Sequence, residues 1–213
     1  FIKEHLLHQS HWVSSDHKSG FLSHIRHDFN QLFEDVADDL KSLSKDVFKG
    51  LTTEHYREEV RQWISQAKHP RFDVHYTDLV YQPMMELLAL LRQHSFTIYI
   101  VSGGSADFIR PWCYQTYGIQ TERVIGSSMK THLAEHEGML AVELEPIPFF
   151  FDESNGKVLG IERAIAKKPI LAVGNSHGDV QMLKWAQQSP YSLSLLVHHT
   201  DDVREYRYSP DPP

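Results

Sequence analysis

The chain has 213 residues, of which 41% are hydrophobic and 23% charged, and it carries a formal net charge of −7. This length suits one domain, or a core with a small insertion, and the composition is typical of a globular protein. The acidic balance argues against a broad nucleic-acid-binding surface. Because Cys113 is the only cysteine, the sequence excludes an intrachain disulfide and a cysteine-based zinc site. No apolar run is long enough for a membrane span.

Residues 1–80 show helical periodicity and no strand pattern. Gly50 is suited to end one helix and Thr52 to cap the next. The fifteen histidines of the chain are mostly scattered, and none forms an HExxH pair. His24 and His27 fall on a segment with the pattern of a solvated helix. We therefore expect a helical segment here, without a metal-binding role for its histidines.

Residues 81–213 alternate between helical and strand patterns. Helices are predicted at 82–94, 105–118, 156–168 and 178–187, and strands at 96–102, 123–130, 138–145, 169–176 and 191–199. Apolar strands that alternate with helices are typical of a parallel sheet covered on both faces. The expected fold class is therefore α/β, with a Rossmann-like parallel sheet preceded by the helical segment.

The first of two candidate loops follows the strand predicted at 96–102. Ser102, Gly103 and Gly104 stand between this strand and a helix, at the sheet edge where open parallel sheets bind ligands. Glycine lets the backbone approach an anion closely, and the helix N-terminus adds positive charge. The pattern fits a phosphate cradle, with an ordinary strand-to-helix turn as the alternative. It is not GxGxxG, which argues against a dinucleotide-binding enzyme.

The second loop, GNSHGD at 174–179, offers Asn175 and Asp179 as oxygen ligands for Mg²⁺. The alternative is that Asp179 only caps the following helix. His177 is interpreted as a loop residue, because imidazole suits zinc better than magnesium. Lys157 opens a predicted helix, where its charge opposes the helix dipole unless an anion lies beside it. The alternative for Lys157 is a solvated surface lysine.

In this order, the features resemble the haloacid dehalogenase superfamily of phosphohydrolases, in its phosphoserine-phosphatase-like branch. Ser102 matches the second motif of that superfamily, Lys157 the third, and the GNSHGD loop the fourth. The chain also resembles a bacterial subgroup of uncharacterised hydrolases over roughly residues 50–206. The stretches shared with that subgroup read AKHPRFDVHYTDLVYQPM, IVSGGSADFIRPW, GNSHGDVQML and LLVHHTD.

The sequence departs from the superfamily pattern in two places. His177 stands where the subgroup usually has aspartate. The first motif, DxDxT, is absent: FFFDESNG has an apolar run before Asp152 but no second aspartate two residues later. In relatives this motif precedes the helical insertion, so we expect it ahead of Phe1. The chain as given is accordingly expected to lack phosphatase activity.

The resemblance implies a Mg²⁺-dependent phosphomonoester hydrolase that forms an aspartyl-phosphate. Ser102 and Gly103 would bind phosphate, Lys157 would offset its charge, and Asn175 and Asp179 would hold Mg²⁺ weakly or not at all without the first motif. Residues 1–80 would form a helical cap over an incomplete core at 81–213, and the substrate would be a small phosphorylated molecule. The alternative is a non-catalytic binding or interaction protein of the same fold. The compartment, periplasmic or cytoplasmic, and the oligomeric state stay open.

Overall fold

The structure is a computed structural model that describes residues 50–203. The helical pattern predicted for residues 1–49 lies outside the described residues. Two compact units are distinguished, and the smaller contains, of the described chain, residues 50–55 and 129–147. The larger contains residues 56–128 and 148–203. Within residues 50–203, no helix is both long and apolar enough to cross a membrane.

Helices and strands follow one another in nearly the predicted order. The helices are α1 (Thr53–Gln66), α2 (Gln82–Gln93), α3 (Ala106–Tyr117), α4 (Asn155–Ile165) and α5 (Val180–Ala186). The strands are β1 (Ile100–Ser105), β2 (Val124–His136), β3 (Met139–Phe150), β4 (Leu171–Gly174) and β5 (Leu193–Leu196). Short 3₁₀ turns occupy Tyr76–Asp78, Thr121–Arg123 and His177–Asp179.

The described strands form two sheets, with orders β1-β2-β3 and β4-β5. Strands β1 and β2 pair in parallel from Ile100 opposite Val124, and β4 and β5 pair in parallel from Leu171 opposite Leu193. The predicted α/β class with parallel strands is confirmed. The pattern predicted neither the division into two sheets nor the late start of β1, which finds its partner β2 only from Ile100 onward.

Local signals explain several element ends. The Thr52 hydroxyl accepts the His55 amide at 3.0 Å and caps α1 as predicted. Helix α3 ends at Gly118, which has a φ of 64°, a conformation that glycine adopts without strain. Strands β2 and β3 are longer than predicted, and they are joined by a two-residue turn. Glu137 and Gly138 have φ angles of 51° and 81° there, as a type I′ hairpin turn requires.

The smaller unit contains the turn of this hairpin and the adjoining parts of β2 and β3, residues 129–147. Glu143 of β3 is buried, and its carboxylate contacts His136 Nε2 at 2.5 Å and His132 Nε2 at 3.5 Å. The Leu144 amide donates to the Leu51 carbonyl at 2.9 Å. These contacts tie the hairpin to the segment that precedes α1.

The core of the larger unit lies on both faces of β2. Val124 packs with Ala106, Ile109 and Cys113 of α3. The next residue, Ile125, packs instead with Ile161 of α4, Ala172 of β4, and Met182 and Ala186 of α5. Because successive strand residues point to opposite faces, helices cover the sheet at the parallel β1–β2 pair on both sides, as the sequence pattern predicted.

Candidate functional site

The SGGS segment continues strand β1 instead of ending it. The sequence predicted that the strand ends at Ser102, but β1 extends to Ser105, and α3 begins at Ala106. The pairing register with β2 shifts between Ser102 and Ser105. Such an irregularity bends a strand locally and can redirect side chains. The Ser102 hydroxyl accepts a hydrogen bond from the Gly104 amide at 3.1 Å, so the Ser102 side chain partly stabilises this irregular segment.

Ser127 of β2 connects this segment to the loop before α4. Its hydroxyl donates to the Gly103 carbonyl at 2.7 Å and accepts the Asp152 amide at 2.9 Å. Close approach of backbones is also required at Gly126, where a side chain would lie 2.7 Å from the Gly104 carbonyl oxygen. Ser127 of β2 therefore links the segment with Ser102 to the loop before α4.

Lys157 is buried in the first turn of α4, with 6% of its surface exposed. Its ammonium group donates to Asp179 Oδ1 at 2.7 Å and to the Val101 carbonyl at 3.3 Å. The alternative of a solvated surface lysine is therefore wrong. A buried cation requires a paired anion, and Asp179 supplies it.

Asp179 makes no capping hydrogen bond to α5 with its side chain, so the alternative that it only caps this helix is wrong. Its Oδ2 accepts the amides of Asn175 at 2.8 Å and Ser176 at 3.0 Å, which closes the 3₁₀ turn before α5. Its Oδ1 pairs with Lys157. Burial alone would raise the pKa of Asp179, but the Lys157 hydrogen bond and the two amides hold that pKa below its ordinary value.

Of the predicted residues, the structure thus brings Lys157, Asp179 and the Asn175 backbone into direct contact. Lys157 also contacts Val101, the residue before Ser102. Gly103 is exposed on the same segment, and His177 is exposed in its loop. The roles assigned to Ser102, Gly103, Lys157, Asn175 and Asp179 stay predictions.

The sequence interpretation missed two carboxylates. Asp152 is completely buried, and neither carboxylate oxygen has a well-formed hydrogen bond within the described residues, although the Ser102 backbone N–H lies near enough to lower its pKa. Its burial raises its pKa to about 6, although the nearby Lys157 charge acts in the opposite direction. Glu153 is exposed, and its carboxylate lies between Gly103 and Gly178, where a side chain on either glycine would strike it. The available signal was a pair of acidic residues directly after the apolar run FFF.

Comparison with known proteins assigns the chain to a family. The family model for haloacid dehalogenase-like hydrolases matches residues 12–184. This chain belongs to the haloacid dehalogenase-like hydrolase family. The predicted superfamily is therefore confirmed. A search of curated proteins found no match.

One solved structure with a similar chain is a phosphoserine phosphohydrolase-like protein from Francisella tularensis subsp. tularensis SCHU S4. The two sequences are 17% identical, and the TM-score is 0.35. The similarity covers 68% of this chain and 60% of that protein. The haloacid dehalogenase-like chain described here thus matches less than two thirds of that protein's length.

The residues of this family member do not by themselves fit a Mg²⁺ site. Magnesium requires near-octahedral oxygen ligands and carboxylate charge. Both oxygens of Asp179 already accept hydrogen bonds, one of them from a lysine. No group of three His, Cys, Asp or Glu side chains converges as a metal site anywhere in residues 50–203. A metal in this core would need carboxylates beyond Asp179.

Proposed function

We propose that this chain provides the phosphate-binding part of a phosphomonoester hydrolase acting on a small phosphorylated substrate. The single observation that carries the proposal is the buried Lys157, which contacts both the β1 backbone at Val101 and Asp179 of the GNSHGD loop. A lysine at a helix N-terminus, beside a glycine-containing loop, is suited to an anion.

Each residue has a chemically distinct part in this proposal. Ser102 supplies a hydroxyl donor and Gly103 a backbone amide for the phosphoryl oxygens. The Lys157 ammonium has three N–H donors, and its contacts with Val101 and Asp179 use two of them. The third can stabilise charge on the phosphoryl group as the leaving oxygen departs. Asp179 is a positioning residue that keeps Lys157 charged and in place.

The nucleophile of the proposed reaction would come from a DxDxT strand. No such stretch occurs in the 213 residues. Its first carboxylate would attack phosphorus to form an aspartyl-phosphate, and its second would protonate the departing alcohol oxygen and later activate water. Mg²⁺ belongs to the proposal as a cofactor of the complete site. Asn175 and Asp179 would line the Mg²⁺ site, together with the carboxylates of DxDxT.

Hydrolysis of p-nitrophenyl phosphate in the presence of MgCl₂ tests the proposal. The 213-residue chain is compared with a version extended at its N-terminus by a strand that carries DxDxT. We expect metal-dependent turnover only in the extended version, and rates at least about 100-fold lower when Ser102→Ala or the first aspartate→Asn is introduced.

A matched control is Ser189→Ala, which should leave turnover unchanged, because this serine donates to the Pro169 carbonyl and belongs to neither loop. Turnover by the 213-residue chain alone would contradict the assignment of the nucleophile. Unchanged turnover in Ser102→Ala would contradict the assignment of the phosphate site.

The second candidate function is non-catalytic binding of a phosphorylated molecule by the same loops. The contacts of Lys157 with Val101 and Asp179 support it equally, because a phosphate cradle needs no nucleophile in order to bind. Phosphate binding by the extended version without any turnover would favour this second function over hydrolysis.

A further inference from the structure

The loop before α4 places a carboxylate between the two glycine-containing loops of the site. A side chain added at Gly103 in β1, or at Gly178 beside Asp179, would strike the Glu153 carboxylate. The two glycines come from segments 75 positions apart, as their numbers show. The Glu153 carboxylate therefore fills the space that the two loops leave open.

The backbone of Glu153 is held in a tight turn, while its side chain stays exposed. The Glu153 carbonyl accepts the Gly156 amide at 2.8 Å, and Ser154 has a φ of 50°, a strained value for a residue with a side chain. Gly156 is required here because a side chain would strike the Phe151 carbonyl. The turn fixes where the side chain starts, but the exposed carboxylate can rotate away.

The charges around this space do not neutralise Glu153. Lys157 is paired with Asp179 at 2.7 Å, and no hydrogen bond or ion pair of the Glu153 carboxylate is present among residues 50–203. A phosphate that approaches Gly103 therefore meets a like charge at close range. Two like charges a few ångströms apart repel by about 1 kcal/mol even at the dielectric constant of water.

We propose that Glu153 is an internal anion that occupies the phosphate position of the Ser102–Gly103 segment and has to rotate out before phosphate binds. This residue then sets the affinity of the site for phosphorylated ligands. The inference rests on the proposed phosphate site and adds a residue that competes with the ligand. Replacing its charge should strengthen phosphate binding, whereas replacing Ser102 should weaken it.

Calorimetric titration of orthophosphate into the 213-residue chain and its Glu153→Gln variant tests the inference. We expect Glu153→Gln to bind orthophosphate about 3- to 10-fold more tightly, because one unit of like charge is removed at constant side-chain size. The gain should shrink as salt is added, since screening weakens charge repulsion. It should disappear in the double variant Ser102→Ala/Glu153→Gln.

Glu162→Gln is the matched control, because Glu162 is an exposed glutamate of helix α4, which follows Glu153 in the chain, and its replacement changes net charge by the same amount. An equal gain in Glu162→Gln, or unchanged or weaker binding in Glu153→Gln when the unmodified chain binds phosphate, would overturn the inference and leave the phosphate site intact. If neither the unmodified chain nor Glu153→Gln binds orthophosphate, the phosphate site itself fails and the inference with it.

Discussion

Asp152 is a carboxylic acid in an unusual electrostatic environment. It is completely buried, its carboxylate oxygens have no well-formed hydrogen bond within residues 50–203, and burial raises its pKa to about 6 from 3.8 even though the Ser102 backbone N–H acts in the opposite direction. Lys157 lies near enough to lower this pKa but is itself paired with Asp179. Buried groups of this kind often belong to functional sites, and Asp152 directly precedes Glu153.

This raised pKa predicts a specific pH dependence of stability. Between pH 3.8 and about 6 the folded chain holds the Asp152 proton more tightly than the unfolded chain, so the free energy of unfolding falls as pH rises through this window. Asp152→Asn removes that contribution. Relative to Asp152→Asn, the unmodified chain should lose on the order of 1–3 kcal/mol across the window.

Urea unfolding of both proteins at several pH values measures the difference, in which the titrations of all other groups largely cancel. A difference that stays constant from below pH 3.8 to above pH 6 would contradict the raised pKa.

At the scale of elements, the Lys157–Asp179 pair joins α4 to the turn before α5, and Lys157 also contacts β1. Removing one partner of a buried ion pair leaves an unpaired charge and typically costs about 3–5 kcal/mol. Removing both costs less than the sum. The pair is thus expected to couple these three segments energetically.

A double-mutant cycle with Lys157→Met and Asp179→Asn measures this coupling by urea unfolding. We expect each single variant to lose about 3–5 kcal/mol, and the double variant to lose at least about 1 kcal/mol less than the sum. The exposed pair Lys130–Glu145, at 3.0 Å, is the control and should couple by less than about 1 kcal/mol. Additive losses at Lys157 and Asp179 would show that the pair carries no coupling.

The sequence predicted the elements better than their ends. Periodicity identified α1 to α5, and Thr52 and Gly118 marked a helix start and a helix end correctly because caps act locally. The ends of β1 were wrong, because strand limits depend on where a distant partner offers hydrogen bonds. Pairing with β2 begins at Ile100 and resumes at Ser105 after an irregularity, which no local pattern encodes.

The same distinction applies to the site. Ser102, Lys157 and Asp179 could be proposed from the sequence because each stands at a strand end or a helix start that periodicity reveals. Ser127 could not be proposed, and the acidic pair Asp152 and Glu153 after the FFF run gave no indication of its neighbours. The proximity of these residues to Gly103, Lys157 and Gly178 arises only when β1, β2 and the loops before α4 and α5 pack together.

At the scale of the whole molecule, the larger unit has the two-faced core of an α/β fold, and its family is the haloacid dehalogenase-like hydrolases. We propose that this core binds phosphate at the Ser102–Gly103 segment. In the proposed function, hydrolysis would depend further on a DxDxT strand, whereas phosphate binding would depend on these loops alone. A binding measurement therefore tests the claim most directly.

That measurement is a two-dimensional ¹H–¹⁵N NMR titration of the labelled chain with orthophosphate. If phosphate binds at this segment, we expect saturable shifts of the Ser102, Gly103, Gly104 and Gly178 amide resonances. We expect these shifts to be lost in Ser102→Ala. Amides of the hairpin turn at Glu137 and Gly138, which belongs to the smaller unit, serve as the internal reference and should not move. Saturable shifts confined to other parts of the chain, or none at the Ser102–Gly104 amides, would contradict the account.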